Sequence, residues 1–404
     1  MSKKQILNLH NILLVIGISY QLVWIFSFIL AKYVSQVEKG EVGLDFLVYY
    51  SAGHIIHYDS PAHLYDLQLQ RQVQATIAPL ISQERFYPYN HPPILAPLLG
   101  WVVTDDYSAS YLRWVFILIL FQVISLGMLI RLMHYLKWGK RDIWLTALSG
   151  LLFYPAIVAF IQGQDSSFLL LGVCLWVLGL MTSRDRVAGL GLALAMIRPQ
   201  IALVLALPFI FKRRRVWWWF MIWGFIILIF CYLFIGSAGL SGFVKVLVLS
   251  GQGLGFDVDK MATLMGAILR WFPGIDPGLL HTIGYIGYVL AILFLCIVWI
   301  KSANIGFKQI NIAILTAILF APHFHGHDLT ILLVPAIGAA CRLSENKILD
   351  LKYSTMLSMA VSILLIIADM TGAIFVVYLV IFSLALISWR PEVLVRIQQV
   401  GKVE

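Results

Sequence analysis

Residues Gly278–Ile300 read GLLHTIGYIGYVLAILFLCIVWI, a run with no Asp, Glu, Lys or Arg. About 20 apolar residues in a helix cross the hydrocarbon core of a bilayer. A helix that is apolar on every side belongs inside a large protein or in lipid. Four further runs have similar length: Asn11–Ala31, Ile143–Ile161 and Val216–Ile235, equally free of charge, and Tyr111–Met133, with Arg113 and Arg131 near its ends. Together they predict a chain that crosses a membrane several times.

The rest of the sequence cannot make such a surface soluble. Of 404 residues, 61% are hydrophobic and 12% charged, against roughly a quarter charged in a soluble domain. A soluble enzyme, a disulfide-rich secreted scaffold and a disordered chain are excluded. A β-barrel needs many segments of about ten alternating residues, and none is found. The first run is too long for a cleaved signal core and no A-x-A site follows it, so it reads as a retained span. The expected class is an all-α polytopic membrane protein forming a single domain over residues 1–404. No linker, low-complexity segment or internal repeat interrupts it. Cys174, Cys231, Cys296 and Cys341 lie in or beside apolar runs without metal-type spacing, as buried small hydrophobes do.

A net charge of +9 would suggest nucleic acid in a soluble protein; here it sorts by side of the membrane, because Lys and Arg collect in cytoplasmic loops. Lys3 and Lys4 place the N-terminus inside, and residues 33–110 emerge outside. Arg131, Lys137, Lys140 and Arg141 mark the next inner turn, and Gln162–Asp165 a short outer one. A single crossing by Val187–Phe211 would leave Lys212–Arg215 outside. The break at Arg198-Pro199 therefore predicts two half-helices that enter from the inner side and return. Proline removes a helix donor, and such breaks survive at membrane depth only inside protein or a wet cavity. Ile94–Val103 is too short to cross. Gly236–Pro277 is a second outer loop, Pro322–Asp328 a third that sinks between two short runs, and a last hairpin turns at Asp369–Thr371. This gives about ten spans plus the broken re-entrant pair.

Few residues remain for chemistry. In the long first outer loop, Phe46–Tyr58 and Pro61–Leu80 are patterned as interfacial helices, and loops of such length usually carry function. Asp45 opens the first of them. On spacing it reads as an N-cap, while a carboxylate near the outer surface also suits a general base. The loop Pro322-His323-Phe324-His325-Gly326-His327-Asp328 offers imidazoles that hold a phosphate, polarise a hydroxyl or simply sit at an interface. A metal there is conceivable on donor type but not favoured, since the spacing matches no ligand pattern. Arg198 sits at membrane depth and must face a phosphate, an Asp or backbone carbonyls. Lys212–Arg215 with Trp217–Trp219 is an anchoring belt.

Taken in order, Asp45, Asn90-His91-Pro92-Pro93, Gly163-Gln164, Ala188-Gly189 leading to Ile197-Arg198-Pro199, and Pro322 through Asp328 resemble glycosyltransferase family 87. That family comprises polyprenyl-phosphate-mannose-dependent mannosyltransferase-like proteins of the GT-C superfamily. The resemblance implies a GT-C-like bundle in the bacterial inner membrane, both termini cytoplasmic and the active site facing outward. It implies a polyprenyl-phosphate sugar donor and a lipid or glycan acceptor as partners, besides membrane lipids, with no nucleic acid and no cofactor. Asp45 would be the general base. His327, Asp328 and Arg198 would bind substrate, as would Gln164, Tyr49, Asn90, His91 and His325, with no metal ligand. Asp165 stands where the family usually has Asn, His91 where an aromatic is common, and the late loop has extra histidines. These departures bear on the sugar and acceptor more than on the reaction. Competing readings of the same charges are a transporter or flippase of a lipid-linked glycan, and a surface-polysaccharide polymerase or ligase.

Overall fold

Helices carry the architecture; among the described residues there is no strand. The computed structural model describes residues 45–78, 86–251, 258–345 and 354–389, with isolated helical positions between residues 15 and 27. The expected first span Asn11–Ala31, as a continuous element, lies outside them.

α1 (Phe46–Tyr58) and α2 (Leu67–Ile77), joined by a 3-10 turn at Pro61–His63, stand where helical patterning predicts them. Asp66 caps α2, accepting from the Gln68 and Leu69 amides at 2.8 and 3.1 Å. α1 is not interfacial: Phe46 through Gly53 are buried in the protein, because its large aromatics find partners in neighbouring helices. Two buried glutamines of α2 hold the extended strand of chain that leads to the site. Gln74 donates to the Tyr87 carbonyl at 2.7 Å, and Gln70 accepts from the Tyr89 amide at 2.8 Å. A side-chain amide can satisfy one buried backbone group while tying down another. The chain then passes Pro93–Leu95 into the short α3 (Ala96–Val102), which packs on α1.

Next come α4 (Tyr107–Tyr135), α5 (Lys140–Leu151), α6 (Tyr154–Gln162), α7 (Ser166–Met181), α8 (Asp185–Leu194), α9 (Pro199–Ala206) and α10 (Arg214–Gly251). They are followed by α11 (Leu264–Trp271), α12 (Pro277–Lys301), α13 (Phe307–Phe320), α14 (Leu333–Glu345), α15 (Ser354–Thr371) and α16 (Phe375–Trp389). Four stretches are long and apolar enough to cross a membrane: α4, α5 with α6, α10 and α12. Each contains one of the predicted runs. The count of about ten full spans is not reached by helix length among the described residues. α7, α13 and α16 are apolar but shorter, and 16 residues at 1.5 Å each make roughly 24 Å.

The broken pair is present. α8 ends in a 3-10 turn at Ala195–Ile197, Arg198 leaves helical geometry at φ −123°, ψ 82°, and α9 starts on Pro199. The two ends of the pair away from the break meet: Arg213 Nε lies 2.6 Å from Asp185 Oδ1, and Arg213 Nη1 donates to the Leu180 carbonyl at 3.0 Å. A hairpin, not a crossing, brings residues 185 and 213 together. The same end collects Lys212 on the Ala303 carbonyl (3.1 Å), Arg186 over Trp219 (5.3 Å) and Lys308 over Trp389 (5.0 Å). Cations over indole faces are favourable contacts.

α10 corrects one expectation. Gly236, the first residue of the expected second outer loop, takes φ 65°, ψ −175° and kinks the helix. The chain does not then become a loop. Residues 237–251 continue as helix, and Phe243 packs on the segment before α2, its ring 5.1 Å from that of Tyr65.

Candidate functional site

A cavity of about 630 Å³ opens at the helix ends remote from the basic cluster, a size typical of small-molecule sites. The N-terminus of α1 brings Asp45 and Tyr49 to it, and the clasped segment after α2 brings Asn90 and His91. The α6–α7 turn brings Gln162 and Gln164, the helix break Arg198, and the loop before α14 His323, His325 and His327. That loop is packed into the protein, with Phe324 and Asp328 fully buried.

The α6–α7 turn is built on Gly163, at φ 74°. A Cβ there would lie 2.7 Å from the Phe46 Cβ, so both backbone hand and space demand glycine. Its carbonyl accepts from the Trp114 indole at 2.7 Å, and Trp114 stacks on Tyr49. The turn, the α1 start and α4 are thereby locked to one another.

Asp45 occupies the N-cap position of α1 but makes no capping hydrogen bond. Its backbone is already helical, at φ −72°, ψ −24°, which turns the carboxylate away from the first amides. It lines the cavity instead.

Arg198 is 4% exposed and answers its charge with acids. Its Nη2 lies 2.7 Å from Asp165 Oδ1 and 3.2 Å from Asp328 Oδ1, and Ser166 donates to Asp328 at 2.9 Å. Arg198 Nη1 also donates to His91 Nδ1 at 2.9 Å. A guanidinium only donates, so His91 accepts at Nδ1 and carries its proton on Nε2. Nε2–H then points at the Tyr49 hydroxyl, 3.2 Å away, and Tyr49 donates to Gln164 Oε1 at 3.0 Å. One direction of donation runs from Arg198 through His91 and Tyr49 to Gln164.

Three of the loop imidazoles, His91, His323 and His325, are held in the neutral form. Burial takes His91 down to about 4, opposed by Asp165. Burial and His327 take His325 down to about 4, with Asp328 and Asp45 pulling the other way. His323 is held well below its usual range by burial and His325. Burial alone would raise the Asp328 carboxyl, yet Arg198 and His327 keep it well below the usual carboxylate range. Arg198 is thus held between two buried carboxylates, Asp165 and Asp328.

Of the residues expected at the site, Asp45, Tyr49, Asn90, His91, Gln164, Arg198, His325 and His327 all line this cavity. Asp328 does not. It sits behind the wall, fully buried on Arg198 and Ser166, because a carboxylate at that depth needs an ion pair more than a ligand. Arg198 likewise turns its guanidinium to Asp165, Asp328 and His91. The three histidine rings of the late loop pack in series, with centroids 4.6 Å apart for His323 and His325 and 5.7 Å for His325 and His327. His327 Nδ1 is 3.2 Å from Gln162, and the His323 carbonyl accepts from Gln200 at 2.9 Å. Among the described residues no group of three His, Cys, Asp or Glu is arranged to hold a metal ion. Sequence reading missed Asp165 as a partner, although a buried arginine needs an acid on a nearby turn. It also missed Tyr154, Lys260, Arg270 and Asp369 on the cavity wall, whose spacing in the chain gives no signal.

Fold and site together define a helical membrane protein with a polar cavity at one end of its helices. The sequence model of glycosyltransferase family 87 matches residues 89–322, more than half of the chain, and the protein belongs to that family. It is a glycosyltransferase. The match contains Asn90, His91, Gln164 and Arg198; Asp45 precedes it and the three loop histidines follow it. No curated protein and no solved structure matches the chain.

Proposed function

We propose that the protein transfers a hexose, mannose in the first instance, from a polyprenyl-phosphate donor to a lipid or glycan acceptor at the outer face of a bacterial inner membrane, with inversion. Asp45 is the general base. It takes the proton of an acceptor hydroxyl as that oxygen attacks the anomeric carbon. The bond from that carbon to the phosphate oxygen breaks, and polyprenyl phosphate leaves with the electron pair. A phosphate needs no strong acid to depart, which fits a cavity where His91, His323 and His325 are held neutral. No cofactor or metal has a part in the scheme.

The observation that carries this reading is the Asp45 carboxylate, at a helix start yet released from capping and turned into the cavity. His91, Tyr49 and Gln164 form the ordered wall beside it, and Asn90, His325 and His327 are placed to bind sugar hydroxyls. Arg198 and Asp328 act by holding His91 and the late loop in position. The outward orientation is supported by the basic end lying at the opposite helix ends.

The test is sugar transfer by purified protein. Radiolabelled mannose should pass from polyprenyl-phosphate mannose and not from a nucleotide sugar. Transfer from the nucleotide sugar alone would overturn the proposed donor class.

A further inference from the structure

The charges around the cavity leave one requirement unmet. Asp45, Asp259 and Asp369 line it, and the Arg198 charge is already outweighed by Asp165 and Asp328 behind the wall. An anionic donor needs positive charge from elsewhere, and Lys260 and Arg270 are the other cations on the wall.

Arg270 is held differently from Arg198. Its Nη1 donates to the backbone carbonyls of Asp259 and Met261, the latter at 3.2 Å. Its Nη2 donates to the Tyr378 hydroxyl, which in turn donates to the Thr263 carbonyl at 2.9 Å. The guanidinium lies 5.8 Å over the Tyr378 ring. Each of these acceptors is neutral. They fix the fork between α11 and α16 without cancelling its charge, and among the described residues Arg270 has no carboxylate partner. The Nε–H and one Nη2–H stay uncommitted to described acceptors. A pre-set guanidinium of this kind suits a tetrahedral oxyanion. Lys260, from the 3-10 turn Val258–Lys260, adds a second positive charge on the same cavity. Val377, the neighbour of Tyr378, is on the wall too, so an apolar surface adjoins the fork.

We infer that Arg270, assisted by Lys260, is the group that holds the phosphate of a lipid-phosphate ligand in this cavity, and that Arg198 is not. The inference rests on the proposed donor class. In the reaction Arg270 would meet the negative charge that grows on the departing phosphate, where a fixed cation does most good. Its hold on Tyr378 makes the last hairpin part of the donor site.

Binding to the detergent-solubilised full chain tests this, with farnesyl phosphate, farnesol and inorganic phosphate as probes and thermal unfolding as the control for folding. The wild type should prefer farnesyl phosphate to farnesol by at least about 30-fold, with inorganic phosphate binding far more weakly than farnesyl phosphate. R270Q should cut that preference at least about tenfold, R270K less, and K260Q by a smaller factor. R270Q protein that unfolds normally and keeps the preference overturns the proposal. So does a wild type without preference. Should R270Q not fold, K260Q and Y378F must each lower the preference; no change in either is contradictory. Inorganic phosphate binding as tightly as farnesyl phosphate would refute a lipid ligand. An Arg270-dependent preference without any transfer from polyprenyl-phosphate mannose would keep the anion site and remove the donor reading.

Discussion

Arg198 and Arg270 show how one residue type serves opposite ends. Arg198 is a buried brace: Asp165 and Asp328 close on it, and through His91 it fixes the tautomer that faces Tyr49. Removing one partner of a buried ion pair costs about 3–5 kcal/mol because the other charge is left uncompensated. R198L leaves two carboxylates facing each other, so a loss of that order, or greater, is expected in thermal or denaturant unfolding. D328N should cost less, since Arg198 keeps Asp165. R198L protein with wild-type stability would contradict the brace. His91 and His325 predict the effect of acid. Both are held near 4 when folded, below an unfolded value of about 6.5. Between those values the unfolded chain binds more protons, so stability must rise with pH there and fall as acid is added from about pH 6.5 toward 4. Melting temperatures across that window should decline, and less steeply in H91Q. A flat profile would mean that these imidazoles are hydrated in solution.

Among the elements, the α6–α7 turn shows the tightest coupling of fold to site. Gly163 touches Phe46, and Phe46 is the residue after Asp45. G163A should cost about 1 kcal/mol or more through its left-handed backbone alone, and the displaced Phe46 carries Asp45 with it. Transfer should fall at least about tenfold, since small misplacements of reacting groups are costly. Steady-state rates and unfolding of the same variant check both effects. Elements were legible in sequence wherever charge met apolar length. The basic run Lys212–Arg215 demanded a returning hairpin, and the Asp185–Arg213 pair closes it. Gly236 marked a kink in α10, but not the end of helix. The helix beyond it was hidden, because its contact with Tyr65 comes from far away in the chain. Likewise Asp45 showed its position but not its freedom from capping, which depends on backbone angles no residue type fixes. Arg270 and Asp369 carried no signal at all, since only the assembled wall brings them to Asp45.

At the scale of the molecule, helix direction separates a basic end from a cavity end. Ser183 lies beside Arg184 at one, and Ala373 follows Asp369 and Gly372 at the other. S183C and A373C should therefore react with an impermeant maleimide from opposite sides of sealed vesicles. The native cysteines, all buried among the described residues, give little background. Labelling of both from one side would contradict the arrangement. The broad layout follows from scarcity of charge: with 12% charged residues, a basic cluster gathers at one end and three cations, Arg198, Lys260 and Arg270, line the cavity at the other. Chemistry there depends on Asp45. The most direct measurement is the rate of mannose transfer from polyprenyl-phosphate mannose by D45N, alongside its unfolding and its binding of farnesyl phosphate. A general base is worth about 10²–10⁴-fold, so the rate should drop by that factor while folding and phosphate binding stay at wild-type values. A correctly folded D45N enzyme within threefold of the wild-type rate would contradict the account.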